Sequence, residues 1–377
     1  MGMRNVKKQL IAYAKKRAND WNYRADKYAS NIIKSHHCPP LTSQEKREID
    51  DYWAQFGVKF RNYDFHQMFY GITGIKDPRF IPEPFADLVL YPYYNDMSRT
   101  VAYEDKNMFT TFVAGMRFPK AICSRMNGYY HDASGHYCGD ILTDEQIAAM
   151  YQDIVAENNH SIILKKTSMT CAGRGVKKYE IHSEQELRTV IAEQGPDDFV
   201  IQFAVHQHPF FAQLNPDSVN IIRINTWRNG DQVHVFAPCI RYGLPGNFTD
   251  IVFKNGKEIM QCVGIHENGE INPYGSGLDG EKLPLSVAER VVPKWEEITE
   301  TVCRNHLSLN YFRYVAWDIT VDSDGNIICI EYNLRCPGSV IYQFACGPLA
   351  GSHTDEFLAF LRDPAAQKKW LPRSIQR

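Results

Sequence analysis

Residues 314–338 read YVAWDITVDSDGNIICIEYNLRCPG. Two runs rich in β-branched and aromatic residues flank Asp324-Gly325, the strongest short-range signal for a two-residue hairpin turn. With that turn Val321 faces Ile328, Thr320 faces Cys329, and Asp318 faces Glu331. Like charges directly opposed across a ladder are destabilising unless something cancels them. Asn333 lies two residues beyond Glu331 and shares its face. Two carboxylates and an amide oxygen thus converge from adjacent strands, an all-oxygen set of the kind Mg²⁺ uses when substrate phosphates complete its shell. The alternative is a pair of solvated strand ends with one carboxyl protonated or salt-bridged. If the carboxylates repel, Asp318→Asn or Glu331→Gln relieves the repulsion.

The chain has 377 residues, which implies two or three packed units around a large interior. Its net charge is −2 with both signs spread throughout, which argues against a nucleic-acid-binding surface. None of the ten cysteines forms a CxxC pair, and Cys239 and Cys329 sit inside apolar runs, the usage of a reducing compartment. With no signal-peptide pattern and no run apolar enough to span a bilayer, a cytoplasmic protein without an integral membrane segment is expected. His131, His136 and Cys138 offer three zinc donors but no fourth at a recognised spacing, so a polar turn is expected there.

The basic stretch 6–35 has the spacing of an amphipathic helix, its charged stripe either solvated or docked on an anionic membrane. A second helix starts at Thr42 or Ser43, and 60–105 reads as loops with short elements. From about 106 an α/β alternation sets in: a helix at 107–115, a strand at 119–124, a helix at LTDEQIAAMYQDIVAEN, the strand SIILKK, a glycine loop, KKYEI, the helix SEQELRTVIAEQ and the strand DFVIQFAV. Beyond 215 hairpins dominate, with turns at Asn229-Gly230, Asn255-Gly256, Asn268-Gly269 and Asp324-Gly325. Pro293 implies a kink or a late start in SVAERVVPKWEEITETVCRNH, and TDEFLAFLRD forms a closing helix. A turn at Asn229-Gly230 sets Asn220 on the face of Arg241 and leaves Arg223 on the other face unless a bulge intervenes. In SIILKKTSMTCAGRGV, Lys165 and Lys166 point to opposite sides of a strand end, ahead of a small-residue loop able to wrap phosphate.

Four segments in order, Glu104-Asp105-Lys106, ILKKTSMTCAGRGV, FVIQFAV, and Asp318 with EYN at 331–333, together resemble the ATP-grasp superfamily. RFIPEPF, EDKNMF, FVIQFAVHQHPFFAQLNPDSVNIIRINTW and IRYG resemble its sugar-transfer-associated branch, over about residues 40 to 360. The resemblance implies an α+β ATP-grasp fold, two α+β subdomains clasping ATP, behind a helical N-terminal region. Its divisions would be 1–105, a lid subdomain at 106–202 and a C-terminal subdomain at 203–377. The implied cofactors are ATP and Mg²⁺. Lys106 and Lys166 would contact phosphates, Lys166 being preferred to Lys165 for its distance from GRGV although Thr rather than Pro follows it. Gly173, Arg174 and Gly175 would belong to the lid loop. Gln202, Phe203, Ala204 and Val205 would hold adenine, and Asp318, Glu331 and Asn333 the metal.

Asn220, Arg223 and Arg241 resemble the family's positions near the transferred phosphate and the acceptor carboxylate, and Arg335 in RCPGS would face an anion. Asp250-Ile251 and Asn255-Gly256 depart from the family's "DN" and "GG". The implied activity is that of an ATP-dependent carboxylate-amine ligase working through an acyl phosphate. Its partners would be a small-molecule carboxylate and an amine, such as a uronic acid and an amino acid, in bacterial surface-polysaccharide or specialised-metabolite biosynthesis. A kinase acting on a hydroxyl and a nucleotide-binding scaffold without turnover are the alternatives.

Overall fold

The computed structural model describes residues 27–167 and 175–372. Most of the basic stretch at 6–35 lies outside them; residues 27–35 are helical. In chain order the strands of the first sheet are β1 (Ala121–Met126), β2 (Tyr129–Asp132), β3 (Tyr137–Gly139), β4 (Ser161–Lys166), β5 (Val176–Glu180) and β6 (Phe199–Phe203). They are followed by β7 (Ile221–Asn229), β8 (Gln232–Tyr242), β9 (Ile251–Lys254), β10 (Lys257–Gly264), the short β11 (Tyr274–Gly277) and β12 (Lys282–Pro284), then β13 (Tyr314–Val321) and β14 (Ile327–Asn333). The chain forms two compact units. One takes residues up to Tyr94, Tyr274–Pro284 and those from Gly338 on; the other takes Asn95–Pro273 and Leu285–Pro337.

The first unit is mainly helical. Thr42 caps Ser43–Ala54 in a reciprocal box with Glu45. Trp53 is its aromatic centre, with Phe60 and Phe85 rings at 4.9 and 5.2 Å and its Nε1 donating to the Pro78 carbonyl at 2.7 Å. The region read as loops contains a helix at Asp64–Thr73, whose Phe65, Met68 and Phe69 bury one face. Pro82 and Pro84 look like breakers, yet Pro in a first turn starts a helix, and helical turns run over 83–94.

In the second unit the first sheet runs β3-β2-β1-β6-β4-β5, with antiparallel neighbours. Helices Asp144–Ala156 and Glu184–Ala192 cover one face through Ile147, Met150, Ile154, Leu187 and Ile191, against Ile162, Leu164 and Ile201. Strand alternation then turns Lys165 to the opposite face.

The second sheet places β14, β13, β7, β8 and β10 side by side, with β9 on β10. Ile222, Ile224, Val315, Trp317 and Ile319 form its apolar face against Ile298 and Val302 of the helix Trp295–His306, which starts late, beyond Pro293. Thr226 anchors this layer: its Oγ1 accepts from Trp317 Nε1 at 2.8 Å and lies 2.8 Å from His306 Nδ1. Burial pushes His306 down to about 4, so the ring is neutral and its Nε2 donates to the Phe312 carbonyl at 3.0 Å.

Two bulges correct the expected registers. The β13–β14 turn has three residues, closed by Asp322 and Asn326, and pairs Ile319 with Cys329. Ile330 is then an extra residue, and Asp318 meets Glu331 after all. In β7–β8 the loop is Gly230-Asp231, and the register shifts between Arg223 and Asn225, opposite Ala237 at φ +39°. The shift sets Arg223 opposite Cys239 and Ile221 opposite Arg241, so both arginines share a face.

An alanine at positive φ costs about 1 kcal/mol, whereas Gly for Ala in a regular strand destabilises by roughly the same amount. Ala237→Gly is therefore expected to keep or raise the urea midpoint. A loss of about 1 kcal/mol would show that the bulge is not held at that residue.

Candidate active site

The face of the second sheet away from its apolar core carries Arg223 on β7, Arg241 on β8, Asp318 on β13, and Glu331 with Asn333 on β14. Asp318 is 1% exposed, and Arg223 and Arg241 are 4% and 5% exposed. Arg223 grips the carboxylate from the neighbouring strand, Nε at 2.6 Å from Oδ1 and Nη2 at 3.1 Å from Oδ2. Arg241 Nη2 reaches Oδ2 at 3.3 Å, and so does Asn333 Nδ2. Burial works to raise the Asp318 carboxyl, but Arg223 and Arg241 more than offset it and hold it below the usual carboxylate range.

Arginine, not only a cation from outside, thus answers the opposed charges. The expectation that Asp318→Asn relieves repulsion is corrected, because that change strands two buried guanidiniums. Arg241 also holds Asp250, Nε to Oδ2 at 2.7 Å. Burial raises the Asp250 carboxyl while Arg241 pulls it down. Arg223 Nη1 donates to the Pro337 carbonyl at 2.8 Å.

Two lysines approach Glu331. Lys106 Nζ lies 3.6 Å from its Oε2, and the Lys106 backbone N–H donates to the Thr167 carbonyl at 3.1 Å, tying this segment to the end of β4. Lys165 is 8% exposed. Burial pushes its amine down to about 8, with Glu331 drawing it back up and Lys106 adding to the fall. Lys166, the residue favoured from the sequence, instead binds Asp197 at 2.5 Å with about half of both side chains in solvent.

Glu104, read in the sequence with Asp105-Lys106, is given no role there. Its Oε1 accepts from the Leu334 and Arg335 N–H groups at 2.7 and 3.0 Å, and Oε2 pairs with Arg335 at 3.1 Å. An acid directly ahead of Asp105-Lys106 was the available signal.

Asn220 stands apart from the charged group. Its Nδ2 donates to the Phe211 and Asn215 carbonyls at 2.7 Å each, and its Oδ1 accepts from Ser218 at 2.7 Å, so it shapes the loop entering β7. Gln202 and Phe203 end β6, Gln202 donating to the Pro119 carbonyl at 3.3 Å. The Ala204 N–H donates to Ser161 O at 2.9 Å and its carbonyl accepts from Asn159 at 3.0 Å; Val205 follows. Gly173 and Arg174 lie outside the described residues. Gly175, at φ +77°, accepts from Lys166 N–H at 3.1 Å. His136 belongs to a polar turn in which Asp132 Oδ1 accepts from the Ser134 and His136 N–H groups at 2.9 Å.

The sequence pattern of the sugar-transfer associated ATP-grasp family matches residues 87–356. The chain belongs to this family. It has the ATP-grasp fold, of α+β class with a helical N-terminal region. Among solved structures, this ATP-grasp chain is similar to D-alanyl-alanine synthetase A from Vibrio cholerae at 12% identity and TM-score 0.41, over 76% of this chain and 67% of that one. It is similar to the ATP-grasp ligase PsnB complexed with minimal precursor, Mg and ADP at 14% identity and TM-score 0.38, over 72% and 62%. With the ADP complex of purK, N5-carboxyaminoimidazole ribonucleotide synthetase, it shares 11% identity and a TM-score of 0.35, over 63% of this chain but only 45% of that one. No curated protein sequence matches the chain. Among the described residues no helix is long and apolar enough to cross a membrane.

Lys165 binds a proton less readily folded than unfolded, so stability rises with pH between about 8 and the ordinary lysine value of 10.5. Below that window the charged amine costs on the order of 3 kcal/mol. Lys165→Met should therefore raise Tm at pH 7, its advantage closing as pH passes through the window, while Lys166→Met, in a solvated pair, moves Tm little. Thermal melts from pH 7 to 10.5 check this. A destabilised Lys165→Met would mean that the amine is not an unfavourable charge.

Proposed function

We propose that this ATP-grasp protein is an ATP-dependent ligase joining a carboxylate to an amine through an acyl phosphate. The observation that carries the reading is the convergence of Arg223 and Arg241 on Asp318, beside a Glu331 approached by Lys106 and Lys165. On one buried face it combines cations for phosphate and carboxylate oxygens with an oxygen set for a hard cation. The donor set fits Mg²⁺. Asn333 spends its Nδ2 on Asp318, which leaves its amide oxygen as an acceptor alongside the Glu331 carboxylate, while the Asp318 oxygens are held by Arg223 and Arg241. Bound there, Mg²⁺ would neutralise phosphate charge.

The protein's own groups have separate tasks. Lys106 and Lys165, rather than Lys166, hold the nucleotide phosphates, and the 202–205 segment lies against adenine. Arg241 and Arg223 hold the substrate carboxylate and the charge that develops during transfer. A carboxylate oxygen attacks the γ-phosphorus, the bond to ADP breaks, and an acyl phosphate results. The amine then attacks the acyl carbon, phosphate leaves, and the amine's surplus proton passes to solvent. Little covalent work falls to the protein; positioning and charge compensation do most of it.

Residues 106–202 would act as the lid subdomain and 203–377 as the C-terminal one, behind the N-terminal region 1–105. Arg335, which carries the Glu104 pair, would face the acceptor side. A uronic acid and an amino acid are the substrate pair we favour, in cytoplasmic steps of surface-polysaccharide or specialised-metabolite synthesis.

Carboxylate-dependent ADP release, measured across uronic and amino acids with Mg²⁺-ATP, is the direct test. Glu331→Gln should abolish it. With the amine omitted, hydroxylamine should trap the acyl phosphate as a hydroxamate, and Arg241→Met should lower that yield on the order of 100-fold. Robust ADP release with a stable phospho-product and no hydroxamate would end the ligase reading.

A further inference from the structure

The site face extends past its charged residues. On β7, Arg223, Asn225 and Trp227 alternate onto it, and Asn225 stands opposite Ala316 on β13 and Phe236 on β8. Asn225 is fully buried, and neither its Oδ1 nor its Nδ2 has a hydrogen-bond partner among the described residues. Buried amides are normally bonded, so one left open on both atoms is a group prepared for something else. Asn225 is two residues from Arg223 on β7, and its partner Ala316 is two residues from Asp318 on β13, which puts the amide next to the charged cluster on one face. Ala316 offers only a methyl between Tyr314 and Asp318. On the side away from Asp318, Trp227 stacks with Phe236 at 5.8 Å and with His234 at 5.5 Å, forming an aromatic wall.

We infer that Asn225 is a specificity-determining residue of the acceptor site, donating to and accepting from a neutral amide or adjacent hydroxyl pair on the carboxylate substrate. The inference rests on the ligase reading, which puts the substrate's charge at Arg223 and Arg241. Positions two apart on a strand are separated by about 7 Å. The neutral group therefore lies about that far from the carboxylate, roughly the span of a six-membered ring together with substituents at opposite ends.

The test is calorimetric binding to the full-length protein saturated with Mg²⁺-ADP. The probes are D-glucuronate (adjacent hydroxyls), N-acetyl-β-alanine (an amide) and cyclohexanecarboxylate (neither). The wild type should prefer one of the first two over the third by on the order of ten-fold, and which one is preferred separates hydroxyl from amide recognition. Asn225→Leu should erase the preference, leave ADP affinity in place and raise Tm, because an unbonded amide is replaced by an apolar isostere. Asn225→Ala should lose the preference too and serves if the leucine does not fit. A preference kept by the variants, or none in the wild type, overturns the assignment. An Asn225-dependent preference without carboxylate-dependent ADP release would keep the subsite and remove the ligase reading. ADP release with the preference intact in both variants would do the reverse.

Discussion

The pair of guanidiniums on Asp318 is the interaction around which the second unit is arranged. Taking three charges out of water costs several kcal/mol per ion, and only close, well-aligned contacts offset it. Arg223 meets this demand from the adjacent strand with two contacts, and Arg241 from one strand further away. Such an arrangement requires all three side chains on one face, and regular pairing would not deliver that. A bulge opposite Ile224 brings Arg223 round to the side of Arg241, and a second at Ile330 keeps Glu331 beside Asp318 despite the three-residue turn. Both backbone irregularities thus serve a charge arrangement, re-aiming side chains as bulges do.

What could be read in the sequence divides along the same line. Residues whose partners are set by strand alternation were legible: Asp318 opposite Glu331, with Asn333 on the same face, follows from a turn signal and period two. The agreement at that pair survived a turn one residue longer than expected because Ile330 absorbed the offset. Arg223 stands between two alternatives, a bulge or the opposite face, since nothing in the local pattern marks Ala237 as a bulge. Asn225 drew no attention for a related reason, because its open amide is evident only once all neighbours are known. In the first unit 60–105 reads as loops with short elements, whereas Pro82 and Pro84 open a helical turn in which Phe85 is buried.

For Lys165 and Lys166 the spacing argument and the structure favour different residues. Alternation requires them to diverge, and which one enters the site depends on which face of β4 the helices cover. Ile162 and Leu164 lie under the helices, so Lys165 is turned toward Glu331 and Lys166 is left at the solvent edge with Asp197. Sequence distance from the glycine loop contains no information about that choice.

Burial explains why Lys165 is the group that yields, with Glu331 opposing the fall and Lys106 adding to it. Arg223 and Arg241 stand against Asp318 and Asp250, Arg335 stands against Glu104, and Lys106 stands against Glu331. The Lys165 amine is buried, and its pKa drops to about 8. A ligand bringing net negative charge to this place stabilises the protonated amine and offsets the cost of keeping it buried. Nucleotide phosphates have that charge. On the proposed reading, the instability stored at Lys165 is therefore the counterpart of anion affinity. The cluster at Asp318 is balanced without a ligand, so it can hold the sheet's register whether or not the nucleotide is bound.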